Sequence, residues 1–452
     1  MSSISLDYFL NDPDLKQRHE AGLPTDEMYR FFPPQEEILL TESKPEKNYR
    51  FIFNGQPKTD FEKEKLLKFQ EYESKNGKID YPSEWLESDT MRILQASEYD
   101  MKKTYKTIKE NVEFLKGLPN TINNNIITLL NSGFLYVHGR DHHFRPIIVV
   151  SIKTLTNLLS KNIYKYEDVN QSIIYLLRYI LTYIFIPGQI ENWVIIVDFK
   201  DVGLSDVSDF KQIFGTLSRY RGRVFRNYFI NIGGFLKIAV KTALKVFGSS
   251  SAKKLKILDS KELHKMHDII SPENIERKYG GNAPDIIPGN NSIFPPIFPS
   301  KNYAINGEKL NIVSEEAYKE MCLNSNPFKP FVISPKYQEL WKQENEKEST
   351  KVNTEPVEIT KKENVEKKII REKAIKAKKI MLPNNGTIQS INNQIISQNN
   401  KKKVTNFVKE FQELYILDQI EEKKYYTISP INVQEINFFF KRLKNNKIKK
   451  FL

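Results

Sequence analysis

Hydrophobic and polar positions fall into two distinct rhythms along residues 192–281. Trp193-Val194-Ile195-Ile196-Val197 is an unbroken apolar run closed by Asp198. That is the pattern of a strand covered on both faces, as in a parallel sheet. A second run, Tyr228-Phe229-Ile230, closes at Asn231, and the intervening 205–220 is polar and helix-compatible. Strand, crossover and strand predict a parallel α/β arrangement. A third short run at 255–258 predicts another strand.

Between the second and third runs the pattern changes from continuous apolar stretches to a period of 3.6. Over 235–247, Leu236, Val240, Ala243 and Phe247 share one narrow stripe of a helix, flanked by Phe235, Ala239, Leu244 and Val246. Lys237, Lys241 and Lys245 form a separate row, and Ile238 alone breaks the division. Gly248-Ser249-Ser250-Ser251 ends the helix, and Tyr279-Gly280-Gly281 closes the unit with glycines suited to a turn of positive φ.

Upstream, 1–58 is mixed and proline-punctuated and predicts irregular structure with short helices. Helices are predicted over 60–73, 85–117 and 122–132, with Asp100 capping the one over 101–115. Strands at 134–137 and 146–150 flank a loop, and helices over 153–161 and 169–186 lead into Trp193. Downstream, Pro288, Pro295, Pro296 and Pro299 punctuate apolar residues, a composition that fits an ordered strap or a linker. Residues 343–382 are dense in Glu and Lys, and 384–400 are rich in Asn and Gln, so disorder is predicted there. Phe407, Val408, Phe411, Leu414, Tyr415 and Leu417 make a late helical stripe.

The order of these segments resembles the CRAL-TRIO domain, a lipid-exchange fold. Asp198 resembles the family's aspartate at a strand end. Tyr220-Arg221-Gly222-Arg223 followed by Tyr228-Phe229-Ile230-Asn231 resembles its Tyr-Pro-Glu-Arg and Tyr-Ile-Ile-Asn segments. Lys254-Leu255-Lys256-Ile257-Leu258 resembles its Lys-Ile-x-x-Leu strand, and Asn274-Ile275 through Gly281 its closing Leu-Pro-x-x-Tyr-Gly-Gly. The loop 138–146 resembles its Gly-x-Asp-x-x-Gly-Arg-Pro hairpin, with Phe144 in place of the second glycine. Met91 to Asp100 resembles the helical module that precedes the domain.

The resemblance implies an α/β fold with a mixed or parallel sheet, flanking helices and an apolar pocket. The resemblance covers about Trp85 to Ile286; with the composition of the rest, the chain divides into an N-terminal extension (1–59), a helical module (60–119), a lipid-binding domain (120–286), a Pro-rich strap or linker (287–342), a charged, Asn-rich, largely disordered linker (343–404) and a C-terminal amphipathic helical segment (405–452). The resemblance also implies that 235–247 is a gate over the pocket, with Phe235, Leu236, Ala239, Val240, Ala243, Leu244 and Phe247 facing the ligand. Lys237, Lys241 and Lys245 would then face an anionic membrane, each lysine contributing on the order of 1 kcal/mol.

For the headgroup, the resemblance points to Tyr220, Arg223 and Lys254. Gly222 stands where the family has a glutamate and Arg221 where it has a proline, so the phosphatidylinositol pattern is incomplete. Trp193 and Ile195 occupy the places of the phosphatidylcholine pattern's polar residues, so that pattern is incomplete too.

Composition refines this picture. Lys+Arg 69 against Asp+Glu 56 gives +13 over 452 residues, which favours acidic partners. Cys322 is the single cysteine, so no intrachain disulfide can form. Residues 1–14 lack a signal-peptide pattern, and 173–186 contain Arg178 and are too short to span a bilayer. A cytoplasmic protein with peripheral membrane contact is expected.

His138, Asp141, His142 and His143 invite a metal reading, but the hairpin accounts for their position and no metal or other cofactor is expected. Phosphate loops and nucleophile motifs are absent, so no enzyme is expected. The partners expected are a phospholipid or other hydrophobic ligand, an anionic membrane surface and a protein on the C-terminal stripe, with no nucleic acid. The alternatives are a scaffold with a degenerate pocket and, more weakly, a metal-dependent phosphoesterase.

Overall fold

The computed structural model describes residues 11–118, 122–160, 164–202, 216, 219–233, 254–288, 293–305, 308–323 and 333–338. At its centre is a five-stranded mixed sheet. In chain order its strands are β3 (Leu135–Arg140), β4 (Pro146–Ser151), β5 (Trp193–Asp198), β6 (Val224–Ile230) and β7 (Leu255–Leu258), and they lie in that spatial order. β3 and β4 pair antiparallel through the hairpin, while β4, β5, β6 and β7 run parallel. A separate two-stranded ribbon, β1 (Leu39–Leu40) with β2 (Tyr49–Arg50), belongs to the N-terminal extension.

The continuous apolar runs follow from burial on both faces. On β5, Trp193, Ile195 and Val197 join one core, and Val194 and Ile196 join another. The first core packs against helices Asn124–Leu130, Ile152–Ser160 and Tyr166–Tyr179 through Leu129, Leu155, Ile173 and Leu177. The second packs against Met266, Ile270 and Ile275 and against Phe51 and Ile52. Helix Tyr166–Tyr179 runs on into a π-helical turn, Ile180–Ile184. Among the described residues no helix is long and apolar enough to cross a membrane.

The helical module has its own core. Leu66 and Phe69 of helix Asp60–Asn76, Leu94 of Glu87–Ala96, and Ile108 and Val112 of Met101–Lys116 are buried together with Phe53. Of its helix starts, the one at Asp100 is capped as the sequence predicts, and the one at Thr59 is capped as well. Asp100 accepts from Lys103 N at 2.8 Å, and Thr59 and Glu62 form a reciprocal capping box.

The N-terminal extension is more regular than its sequence predicts. It holds helices Pro13–Gly22, Asp26–Arg30 and Gln35–Ile38. Met28 and Phe31 enter the first core, Phe51 and Ile52 the second, and Phe53 the third. Residues 293–305 act as a strap. Ile297 donates to Val137 O at 3.0 Å, and Gly139 N donates to Ile297 O at 2.7 Å. This covers the outer edge of β3, whose backbone groups would otherwise lack partners. Tyr318, Cys322 and Tyr337 form a fourth, small cluster.

Phe144 adopts φ +63°, the left-handed conformation of the glycine it replaces. Its ring is 1% exposed and packs edge-on against Phe31 and Tyr303, each 5.3 Å away. Ring burial therefore outweighs a backbone cost of roughly 1–2 kcal/mol. Phe144→Gly removes the strain but leaves a cavity, for which truncation of a buried Phe costs about 3–5 kcal/mol. A net loss of about 1–4 kcal/mol is expected in chemical denaturation, and unchanged stability would show that burial of the ring no more than offsets the backbone strain.

Candidate functional site

The segment 234–253 lies outside the described residues, and with it Phe235, Leu236, Lys237, Ala239, Val240, Lys241, Ala243, Leu244, Lys245 and Phe247. The structure describes what leads into and out of it. β6 ends at Ile230, and Asn231 turns the chain at φ +56°. Asn231 Nδ2 donates to Asp198 Oδ1 at 2.8 Å, Lys200 N donates to the same oxygen at 2.9 Å, and Tyr279 Oη donates to Asp198 Oδ2 at 3.1 Å.

Asp198 therefore clasps three of the segments quoted above, at the carboxyl ends of the parallel strands, where open α/β sheets hold ligands. Its oxygens are engaged by donors, so it acts as a positioning group. Burial, then the charges of Asp198 and Glu276, push Tyr279 well above the usual tyrosine range. It remains a phenol that donates.

The three headgroup positions are described, and each is engaged within the chain. Tyr220 is buried beside Trp193, with ring centroids 6.5 Å apart. Lys254 donates to Val224 O at 3.2 Å, and its amine lies 3.5 Å from the centre of the Tyr49 ring and 4.8 Å from that of Phe51. Burial, then the charges of Arg226 and Arg92, pull it well below the usual lysine value. The two rings come from the N-terminal extension, far from Lys254 in sequence.

Arg223 belongs to a buried ionic knot centred on Glu191. Its guanidinium lies 4.0 Å from Glu191 Oε2 and 3.7 Å from Asp89 Oδ1. Arg92 forms a close ion pair with Glu191 and donates to Gly222 O at 3.1 Å. Glu191 Oε1 accepts from Gly188 N at 2.6 Å and Asn54 Nδ2 at 2.7 Å, and Oε2 accepts from Phe53 N at 3.0 Å.

One carboxylate thus joins the extension, the helical module and the sheet domain. Burial raises Glu191, but Arg92 and Arg223 outweigh it and hold its pKa below the ordinary 4.5. Burial and Arg223 bring Arg92 down to about 9, which leaves it cationic at neutral pH. Sequence reading assigns no role to Glu191. A single acid ahead of an apolar run carries no spacing signal, and its partners are distant in the chain. A cleft of about 680 Å³ opens beside the knot, lined by Phe32, Phe53, Leu86, Met91 and Pro187 with Arg50 and Lys58.

His138, Asp141, His142 and His143 occupy the β3–β4 hairpin and separate into different roles. Burial brings the His138 imidazole down to about 4, so it is neutral. Asp141 Oδ2 accepts from Arg145 Nε at 2.6 Å, and its Oδ1 accepts from Arg145 N at 2.8 Å. Arg145 Nη1 donates to Glu37 Oε2 at 2.7 Å. Burial raises Glu37, and the charge of Arg145 together with the hydrogen bond from His143 overrides it, down to about 2.

A family model of the CRAL/TRIO domain matches residues 130–281. None of the curated proteins matches the chain. Among solved structures, one titled "Crystal structure of Sfh5" is similar at 14% identity and a TM-score of 0.39, covering 54% of this chain and 95% of that one. The matched span contains all five strands of the central sheet, the Asp198 clasp and the closing Tyr279-Gly280-Gly281. Residues 130–281 of this chain are a CRAL/TRIO domain.

Proposed function

We propose that the chain binds a lipid or similar hydrophobic ligand and exchanges it with membranes. The observation that supports this reading is the CRAL/TRIO domain at 130–281, a domain type that generally binds lipophilic ligands. In this reading 235–247 is the gate. Its apolar stripe covers the ligand when closed, and Lys237, Lys241 and Lys245 meet an anionic bilayer when it opens. Affinity comes from apolar burial at about 25 cal/mol per Å², less the cost of ordering, and no covalent step is assigned. The protein works in the cytosol and visits membrane surfaces.

Native purification is expected to bring down one lipid-class molecule per chain, identified by mass spectrometry of the extract. Leu236→Asp or Val240→Asp places a carboxylate in the apolar stripe and is expected to abolish loading. Normal loading in both variants removes the gate assignment. The second reading is a scaffold whose pocket no longer takes a phospholipid headgroup. It is favoured by the enclosure of Lys254 by Tyr49 and Phe51 and by the use of Arg223 in the Glu191 knot. Preparations that never contain an extractable lipid would support it.

A further inference from the structure

At the hairpin tip the His142 and His143 rings stack, with centroids 3.8 Å apart, and both side chains are buried. Each Nδ1 faces a group that only accepts. His142 Nδ1 lies 3.0 Å from the Ile269 carbonyl oxygen, and His143 Nδ1 lies 2.6 Å from Glu37 Oε2. Glu37 is paired with the Arg145 guanidinium and is therefore a carboxylate. In the neutral rings these contacts place the proton on Nδ1 and the lone pair on Nε2.

Both lone pairs point toward one further carboxylate. Glu308 Oε2 is 3.2 Å from His142 Nε2, and Glu308 Oε1 is 3.6 Å from His143 Nε2. Among the described residues no hydrogen-bond donor reaches His142 Nε2. Two imidazole lone pairs and an anion brought together are mutually repulsive unless a cation or an added proton lies among them.

We propose that His142 Nε2, His143 Nε2 and the Glu308 carboxylate bind one divalent cation of the zinc class. Zinc takes imidazole nitrogen and carboxylate oxygen at about 2.0–2.2 Å, so two tetrahedral ligands sit roughly 3.3 Å apart. The two nitrogen-to-oxygen distances, 3.2 and 3.6 Å, bracket that spacing. The surroundings match those of ligating histidines, whose second nitrogen characteristically donates to a carbonyl or a carboxylate.

Glu37 plays that part for His143, Arg145 holds Glu37, and Asp141 holds Arg145. Glu308 is half exposed, which gives the ion an entry route. The cation would clip the segment carrying Glu308 onto the hairpin, against helix Gln35–Ile38. It is independent of lipid binding.

The test is calorimetric titration of the chelator-treated full-length protein with zinc chloride, with thermal unfolding followed in parallel. One zinc per chain, a micromolar or tighter Kd and a higher Tm are expected. Cobalt(II) in its place should show visible d–d absorption. Glu308→Ala alters a half-exposed side chain, so the fold is retained, and it should weaken binding at least about 10-fold. His143→Gln should do the same. If the wild-type protein shows no saturable binding below about 100 μM, a proton bridges the groups and the proposal fails. Stoichiometric binding that survives both substitutions places the ion elsewhere and also overturns it.

Discussion

Glu191→Ala is expected to destabilise the protein by about 3–5 kcal/mol, the usual effect of removing one partner from a buried ion pair. The size comes from what is left behind. Arg92 and Arg223 would face each other in a site from which water is excluded. Gly188 N, Phe53 N and Asn54 Nδ2 would all lose their acceptor. The loss falls on the junction of three parts of the chain, so helices Asp60–Asn76 and Glu87–Ala96 should be exposed to proteolysis earlier than β5.

The acid limb of stability carries the same signature. Glu191 is held below its ordinary 4.5, so the folded state binds fewer protons than the unfolded one in acid. Its contribution is complete above about pH 4.5 and is lost as pH falls through the depressed folded value. Glu191→Gln should therefore be less stable than wild type at pH 7, with the gap narrowing toward pH 3. Urea midpoints measured across that range test the sign. An Arg92→Ala/Glu191→Ala double variant should lose less than the sum of the two single changes, because both break one network.

Where the signal is local, the sequence carries it. β5 spans its apolar run and the Asp198 that closes it, all buried, and β7 coincides with the short run at 255–258, of which Leu255 and Leu258 are buried. β6 begins four residues before its apolar run of Tyr228-Phe229-Ile230, at Val224. Its Asn227 is buried, and Arg226 lies over the ring of Phe225. Polar residues at these two positions interrupt the apolar pattern, so the first half of the strand does not read from sequence. The N-terminal extension shows no period because its buried residues, Met28, Phe31, Phe51 and Phe53, enter three different cores.

The candidate sites divide the same way. The histidine pair is visible in the hairpin, whereas Glu308 and Glu37 reach it from distant segments. Lys254 is a strand-edge lysine in sequence and is enclosed by Tyr49 and Phe51 in space. Asp198 closes its apolar run in sequence, and its bond from Lys200 N is local to the turn that follows. Its bonds to Asn231 and Tyr279 depend on the sheet bringing strand ends together.

Gly281→Ala should be among the most damaging single changes in the domain. A Cβ on Gly281 would lie 2.0 Å from the Ile275 carbonyl oxygen and 2.5 Å from its carbonyl carbon. Those are backbone atoms, so no rotamer change relieves the clash and the loop itself must move. The loop is tightly tied. Gly281 N donates to Glu276 O at 3.1 Å, Ala283 N to Ile275 O at 2.9 Å and Arg277 N to Ala283 O at 3.0 Å. Ile275 is buried in the second core, and Tyr279 reaches Asp198 from the same loop.

Ordinary overpacking costs about 1–3 kcal/mol. Displacing this loop also breaks the Asp198 clasp, so a loss above about 4 kcal/mol is expected. Gly233→Ala is the internal comparison. Among the described residues no heavy atom lies within 4 Å of its added Cβ, and a change within about 0.5 kcal/mol is expected. Denaturation midpoints for the two variants should therefore differ widely although both add one methyl group. Equal midpoints would mean that the loop moves aside freely and that Tyr279 does not hold Asp198.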